Sequence, residues 1–316
     1  MYNYCTLFDS NYLIRGLAMY QSLKKHSSNF HLYIFAFDLR SYKLLKKLNL
    51  ISVTIISLYE FEDKELLEAK KDRTVEEYCW TCTPSVIKYC IENFNLNSCT
   101  YLDADLYFFS NPDVLIKEMG NKSILITEHR YSPQYKSGII NGIYNVQFLT
   151  FKNDINGMKA LKWWRDSCIT WCYRRMEDGK IGDQKYLDDW TSRFKGVHVL
   201  QHLGGGVAPW NVQQYKLEEK SFELIFYHFH GFKILSNDKV DLSVYRLRKE
   251  DIKILYKPYL FHLEAIKDNI VITNDRYDYH GVVQLTKFNW KNSLKTLIRI
   301  LNRCYNVYYK NYILKL

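Results

Sequence analysis

The stretch that decides the reading is YLDADLYFFSNPD, Tyr101 to Asp113. Asp103 and Asp105 interrupt a run otherwise apolar enough for a buried strand. Ionised carboxylates are costly to bury unless paired, hydrogen-bonded or bound to a metal. In an extended chain, residues two apart point to the same side, so both carboxylates are expected to face one cation. At the C-terminal end of a parallel strand they would lie in the crevice where open α/β sheets bind ligands. Hard divalent cations favour oxygen ligands and can bridge to a diphosphate. Solvated or capping aspartates are common, but the apolar sequence on both sides argues for the cation.

The surroundings supply the sheet. Residues 4–8 predict a buried strand, Asp9-Ser10-Asn11 supplies capping residues, and YLIRGLAMYQSLKKH predicts an amphipathic helix. FHLYIFAFD and ISVTIISLY predict two more strands, separated by the helix SYKLLKKLN. TPSVIKYCIENF predicts a helix with Thr83 as its cap and Pro84 at its first position. CTYLDADLYFF is then the fourth strand, followed by SILITEH, IYNVQFLTFK and a long helix over NDINGMKALKWWRDSCITWCYRR. FELIFYHFHGF predicts a strand ending in His228 and His230. This alternation predicts an α/β fold with a mixed, mostly parallel sheet flanked by helices.

Composition bounds the function. In 316 residues, 47% hydrophobic and 25% charged, a folded globular protein is expected, and 13 Gly with 5 Pro leave little room for disordered linkers. The formal charge of +10 points to an anionic partner: phosphates, nucleic acid or an anionic membrane. The opening MYNYCTLFDSNYL lacks a basic region leading into an apolar core, and no apolar run is long enough to span a bilayer. A cytoplasmic protein with reduced thiols is expected. Cys79, Cys82, Cys168 and Cys172 have spacings that zinc could use, against the plainer reading as small buried apolar residues.

Positive charge concentrates in the tail, with Lys287, Lys291, Lys295, Arg299, Arg303, Lys310 and Lys315 and no acidic residue after Asp278. Leu294, Leu297, Ile298, Leu301 and Tyr305 recur at helical spacing. Such a helix over 287–316 is suited to an anionic membrane surface, placing the protein peripherally on the inner face of the cytoplasmic membrane. The charge is not interleaved in a nucleic-acid motif, so no nucleic-acid partner is expected.

Further polar groups are candidates for chemistry. Carboxylates with one imidazole suit Mn²⁺, with Mg²⁺ as the alternative. Asp183 and Gln184, in GDQKYLDDW, start a helix and could bind sugar hydroxyls. In HLGGGVAPWN the glycines would let backbone approach a ligand closely, and Trp210 and Asn211 could stack on and hydrogen-bond an acceptor sugar.

Read in order, these segments resemble the bacterial glycosyltransferases of GT-A fold, closest to the glycosyltransferase family 8 pattern. CTLFDSNYLIRGLAMYQSL is similar to that family's opening strand, nucleotide-contacting loop and first helix. YLDADLYFFSNP resembles its metal-binding strand, YNVQFLTFK its Asn-containing strand, GDQKYL its Asp-Gln segment, and HFHG its His-x-x-Gly. The resemblance covers residues 3–235. It implies that Asp103 and Asp105 bind Mn²⁺ and the donor diphosphate, with His228 as third protein ligand. It places Thr6, Phe8 and Asp9 along the nucleotide, and Arg15, Arg73, Asn145 and Lys233 at the donor. Asp183 and Gln184 would face the transferred sugar. The family's Lys-Pro-Trp after its His-x-x-Gly is absent: GFKIL follows instead.

The expected architecture is a GT-A nucleotide-sugar transferase domain over 1–240 and a basic C-terminal extension over 241–316. The expected activity is metal-dependent transfer of a sugar from a nucleotide-diphosphate donor, a UDP-sugar, to a glycan or lipid-linked glycan acceptor in cell-surface polysaccharide or lipopolysaccharide synthesis. Retention of configuration follows from the resemblance; inversion would need Asp183 or Asp189 as base. Two rivals are a nucleotidyltransferase of similar fold, for which FDSNYLIRG lacks a Gly-rich phosphate loop, and a basic nucleic-acid- or membrane-binding protein without catalysis.

Overall fold

The structure is a computed structural model that describes residues 1–219, 222–271, 277–284 and 290–316. Its strands are β1 (Tyr2–Phe8), β2 (Phe30–Ala36), β3 (Val53–Ser57), β4 (Ser98–Leu102), β5 (Leu106–Phe108) and β6 (Ile124–Glu128), then β7 (Tyr144–Lys152), β8 (Val197–Val199), β9 (Phe226–His228), β10 (Lys233–Leu235), β11 (Lys239–Asp241) and β12 (Val307–Tyr309). Seven of them form the central sheet in the order β3-β2-β1-β4-β7-β6-β8. All neighbours are parallel except β7, which runs against both β4 and β6. The chain leaves β1 for β2 on one side and returns to β4 on the other. That reversal opens a crevice at the C-terminal ends of β1 and β4.

β1 shows why this sequence makes a central strand. Tyr4 and Phe8 enter the apolar core on one face of the sheet, while Cys5 and Leu7 enter the core on the other. The first face is covered by helix Leu13–His26 and, across it, helix Lys257–Val271. Gly16 permits that contact, because a Cβ there would sit 2.4 Å from the Phe8 ring. The second face is covered by helices Val75–Asn93 and Ile155–Thr170.

Helix Val75–Asn93 starts well before the Thr83-Pro84 boundary expected from sequence, and Pro84 lies inside it. The stronger signal is Thr74-x-x-Glu77: Thr74 Oγ1 accepts the Glu77 N–H at 3.3 Å, and the Glu77 carboxylate accepts the Thr74 N–H at 2.9 Å. An interior proline costs about 3 kcal/mol. Burial of Thr81, Cys82, Val86, Ile87, Cys90 and Ile91 on the same helix offsets it.

The aspartate segment also departs from expectation. Residues 98–108 are two strands in two sheets, β4 in the central sheet and β5 paired antiparallel with β9. Asp103-Ala104-Asp105 is the turn between them, closed by the Leu106 N–H donating to the Asp103 carbonyl at 3.2 Å. A turn, rather than strand alternation, therefore brings the two carboxylates to one side.

Beyond β9 the chain adds the small sheet β10-β11-β12. Leu242, Ile252, Leu255, Leu263 and Ile313 join the same core as Tyr4 and Phe8. The basic C-terminal helices are tied in by ion pairs: Arg299 makes a bidentate contact with Asp241 at 2.7 Å, and Lys310 reaches Glu264 at 2.9 Å. Lys287 lies outside the described residues. No helix among the described residues is long and apolar enough to cross a membrane.

Candidate active site

The turn and the β5–β9 pairing build the site together. Leu106 registers against His228, which carries the imidazole to the aspartates. The Phe229 N–H donates to the Asp105 carbonyl at 2.9 Å, and the Asp103 N–H donates to the Gln147 carbonyl at 3.1 Å. His228 Nε2 then lies 3.1 Å from Asp105 Oδ1 and 3.7 Å from Asp103 Oδ2. The donor atoms of Asp103, Asp105 and His228 all fall within 4.8 Å of one another, a cluster able to hold a divalent metal ion.

The imidazole is held from behind. Gln147 Oε1 lies 2.6 Å from His228 Nδ1, so it accepts that N–H and leaves Nε2 facing the carboxylates. Asn145 Oδ1 accepts the Gln147 backbone N–H at 2.7 Å, and its amide nitrogen donates to His129 Nε2 at 3.0 Å. Burial keeps His129 neutral, its pKa lowered to about 3, which suits the acceptor role of Nε2.

Charge in the cluster is shared. Burial pushes Asp103 up, and although the His228 charge opposes this, the Asp105 charge adds to it, leaving Asp103 at about 6. Burial also pushes Asp105 up, but His228 outweighs it and holds Asp105 well below the usual range. For His228 burial favours the neutral ring, yet Asp105 and Asp103 reverse this and raise its pKa. When His228 is protonated, its Nε2–H stands where a cation would, 3.1 Å from Asp105 Oδ1.

The cluster opens into a cavity of about 830 Å³. Its lining includes Phe8 at the end of β1, Asp9 and Tyr12 just after it, and Glu76, Cys79 and Trp80 on helix Val75–Asn93. His129, Tyr131, Asn145, Asp183, Gln184, Trp210, His230 and Tyr245 also line it. Asp183 is buried with Oδ2 unpartnered, and its carbonyl accepts the Trp164 indole N–H at 3.0 Å. Burial, with the Asp103 charge adding, pushes its pKa up to about 7. Gln184 donates its amide to the Asn141 carbonyl at 2.9 Å across the mouth.

Several residues singled out from sequence lie elsewhere. Thr6 is buried within β1, paired in register with Ile34. Arg73 sits over the Tyr173 ring at 3.7 Å and pairs with Asp72. Arg15 is buried over the Tyr12 ring at 4.4 Å, behind the aspartates, where its charge helps to lower the Asp105 pKa. Lys233 opens β10 on the surface and does not line the cavity. Asn211 is spent on backbone groups, donating to the His129 carbonyl and to the Gly206 carbonyl of its own loop and accepting the Ala208 N–H. The loop glycines serve protein packing, not ligand approach: a Cβ on Gly204 would meet the Glu223 carbonyl, and Gly206 has a φ of +92°. Nor do the four cysteines considered for zinc converge within ligand range: the groups that do, among the described residues, are the Asp/Asp/His cluster and Cys5, Cys90 and Cys99. Sequence reasoning missed Gln147, Tyr12, Trp80 and Arg174 at the site. Gln147 carried a signal, being a polar residue inside the apolar strand YNVQFLTFK.

No protein-family model matches the chain. The galactosyltransferase LgtC, solved with donor and acceptor sugar analogs, aligns with a TM-score of 0.52 at 12% identity, over 83% of this chain and 95% of that one. This likeness shows the GT-A fold. YfnF of Bacillus subtilis (strain 168), an uncharacterized protein, is 28% identical over 272 residues, 81% of this chain and 89% of the relative. YfnD of the same organism, also uncharacterized, is 34% identical over 282 residues, 85% of this chain and 91% of the relative. The chain therefore belongs to the family of YfnD, on a GT-A fold.

Proposed function

We propose that the protein is a metal-dependent glycosyltransferase that moves a sugar from a nucleotide-diphosphate donor, a UDP-sugar, to a hydroxyl of a glycan acceptor, with retention of configuration. The observation that carries this is the Asp103–Asp105–His228 cluster at the β1/β4 crevice of a GT-A sheet, opening into a cavity large enough for a nucleotide sugar. Its donor set fits Mn²⁺, with Mg²⁺ as the alternative: two carboxylates and an imidazole whose Nε2 is directed at them. When bound, such an ion offsets the charge of the leaving diphosphate.

The chain's own residues divide the remaining work. Phe8, Asp9, Tyr12 and Trp80, which line the cavity, suit the nucleoside. Asp183 and Asn145 both line the cavity and suit contact with sugar hydroxyls, the Asn145 amide keeping a hydrogen beyond the one given to His129. Trp210, its indole held by the His129 carbonyl at 2.8 Å, gives a fixed apolar wall for the acceptor. Gln184 would lie near the transferred sugar. An amide is a weak nucleophile, so a front-face route with the acceptor hydroxyl held near the anomeric carbon suits retention.

We read residues 1–240 as the catalytic body and 241–316 as an extension that brings it to a lipid-linked acceptor on the inner membrane face. Helix Trp290–Leu301 supports this, leaving Leu294, Leu297, Ile298 and Leu301 exposed, with Lys295 and Arg303 exposed near them. The deciding experiment is a thermal-shift screen of nucleotide sugars with and without Mn²⁺. A shift requiring both, and lost in Asp103→Asn, supports the reading; no Mn²⁺-dependent shift with any nucleotide diphosphate sinks it.

A further inference from the structure

A second group of metal-binding residues lies outside the cavity. Cys5 on β1, Cys90 on helix Val75–Asn93 and Cys99 on β4 bring their sulfurs within 4.8 Å of one another. All three are free and fully buried within one apolar cluster. Three thiols from three separate elements thus share one apolar space.

Charge decides what such a space accepts. Three thiolates around Zn²⁺ would leave a net negative charge in an apolar core, which is costly without a partner. Zinc also takes a fourth ligand in structural sites, and no fourth metal-binding group joins the three among the described residues. A trivalent, thiophilic centre of three-fold coordination satisfies both conditions, since three thiolates neutralise it.

We infer that Cys5, Cys90 and Cys99 form a buried site for As(III) or Sb(III), held as a neutral tris-thiolate. With arsenous acid, each As–O bond is replaced by an As–S bond. Each thiol proton leaves with a hydroxyl as water, so three waters are released and neither arsenic nor sulfur changes oxidation state. Occupancy would tie β1 to β4, the strands that run into Asp9 and Asp103. This site is independent of the glycosyltransferase reading.

The test is native mass spectrometry of the full chain after equilibration with sodium arsenite under a phosphine reductant. One arsenic per chain, with three protons lost, is expected. Cys90→Ala and Cys99→Ala should each abolish that adduct, while Cys168→Ala should keep it. An adduct retaining a hydroxyl and losing only two protons overturns the three-thiol site, even if the variants fail to fold. So does an adduct that survives Cys90→Ala, one that forms only on urea-unfolded chain, or no adduct at all. Tight binding of one Zn²⁺ that blocks arsenite would overturn the charge argument.

Discussion

Mn²⁺ and protons should compete for the Asp103–Asp105–His228 cluster. Metal binding needs a neutral imidazole and ionised carboxylates. In the metal-free protein His228 has a raised pKa and Asp103 titrates at about 6. Binding must therefore displace protons, and affinity should fall as pH falls. Taking the ordinary histidine value of 6.5 as a floor for His228, its proton costs about tenfold in affinity between pH 7.5 and 5.5. Asp103 adds about fourfold over the same range, so the combined loss is roughly 40-fold or more. Asp105, held low, adds nothing. Titration calorimetry in buffers of different ionisation enthalpy measures both the Kd and the protons released. Release should grow as pH falls, toward two per metal below pH 6. A Kd flat between pH 5.5 and 7.5, or no proton release at pH 6, would refute the shared-proton arrangement. His228→Ala should weaken binding and remove the larger part of the pH dependence.

Gln147→Leu, which removes the acceptor for His228 Nδ1–H, should weaken Mn²⁺ about 10–100-fold with unchanged circular dichroism. Gln147→Glu keeps an acceptor and should recover part of the loss; equal affinity in both variants and the wild type would show that the contact positions nothing. Asp183 has a folded pKa of about 7, above its ordinary value of 3.8, so the folded state holds that proton more tightly. Its contribution is present below pH 4 and lost as pH rises to 7, at most about 4 kcal/mol. Urea unfolding of metal-free protein should show this decline, and Asp183→Asn should flatten it. Gly16→Ala, forced against Phe8, should cost about 1–3 kcal/mol in the same assay; an unchanged midpoint would mean that the helix shifts freely. Leu297→Asp on the exposed face of helix Trp290–Leu301 should reduce flotation with anionic vesicles while leaving the melting temperature unchanged. Unchanged flotation would argue against that face as the lipid contact.

Much of the sheet was legible because β1, β2 and β3 carry continuous apolar runs between helical patterns, and a parallel sheet buried on both faces produces that signature. The aspartate pair was legible for a different reason: charges inside an apolar run need a compensating partner. How the pair converges was not legible, because strand and turn share the same two-residue spacing and only the β5–β9 pairing distinguishes them. Arg73 and Arg15 illustrate the limit for single charged residues. Both were candidates for donor contact, yet Arg73 is drawn to Tyr173, 100 residues away in sequence, and to Asp72, and Arg15 to the nearby Tyr12. Asn211 shows the same for amides, since the His129 carbonyl, 82 residues away in sequence, takes up its side-chain N–H.

The cluster's location explains why its parts are so far apart in sequence. Asp103 directly follows β4 of the central sheet, Gln147 lies on the adjacent β7, and His228 ends β9 in the small two-stranded sheet. The turn at Ala104 passes the chain from one sheet to the other, and the His228–Gln147 hydrogen bond joins them again. Asp103, Asp105 and His228 would hold a cation at this point, where it would offset the charge of the two carboxylates. Each sheet alone supplies an incomplete ligand set, so tight metal binding requires the docked tertiary structure. The same holds for the imidazolium proton of the metal-free state. Proton and metal are thus alternative ways to satisfy one junction, which is why a segment that looks misplaced as a strand is stable as a turn.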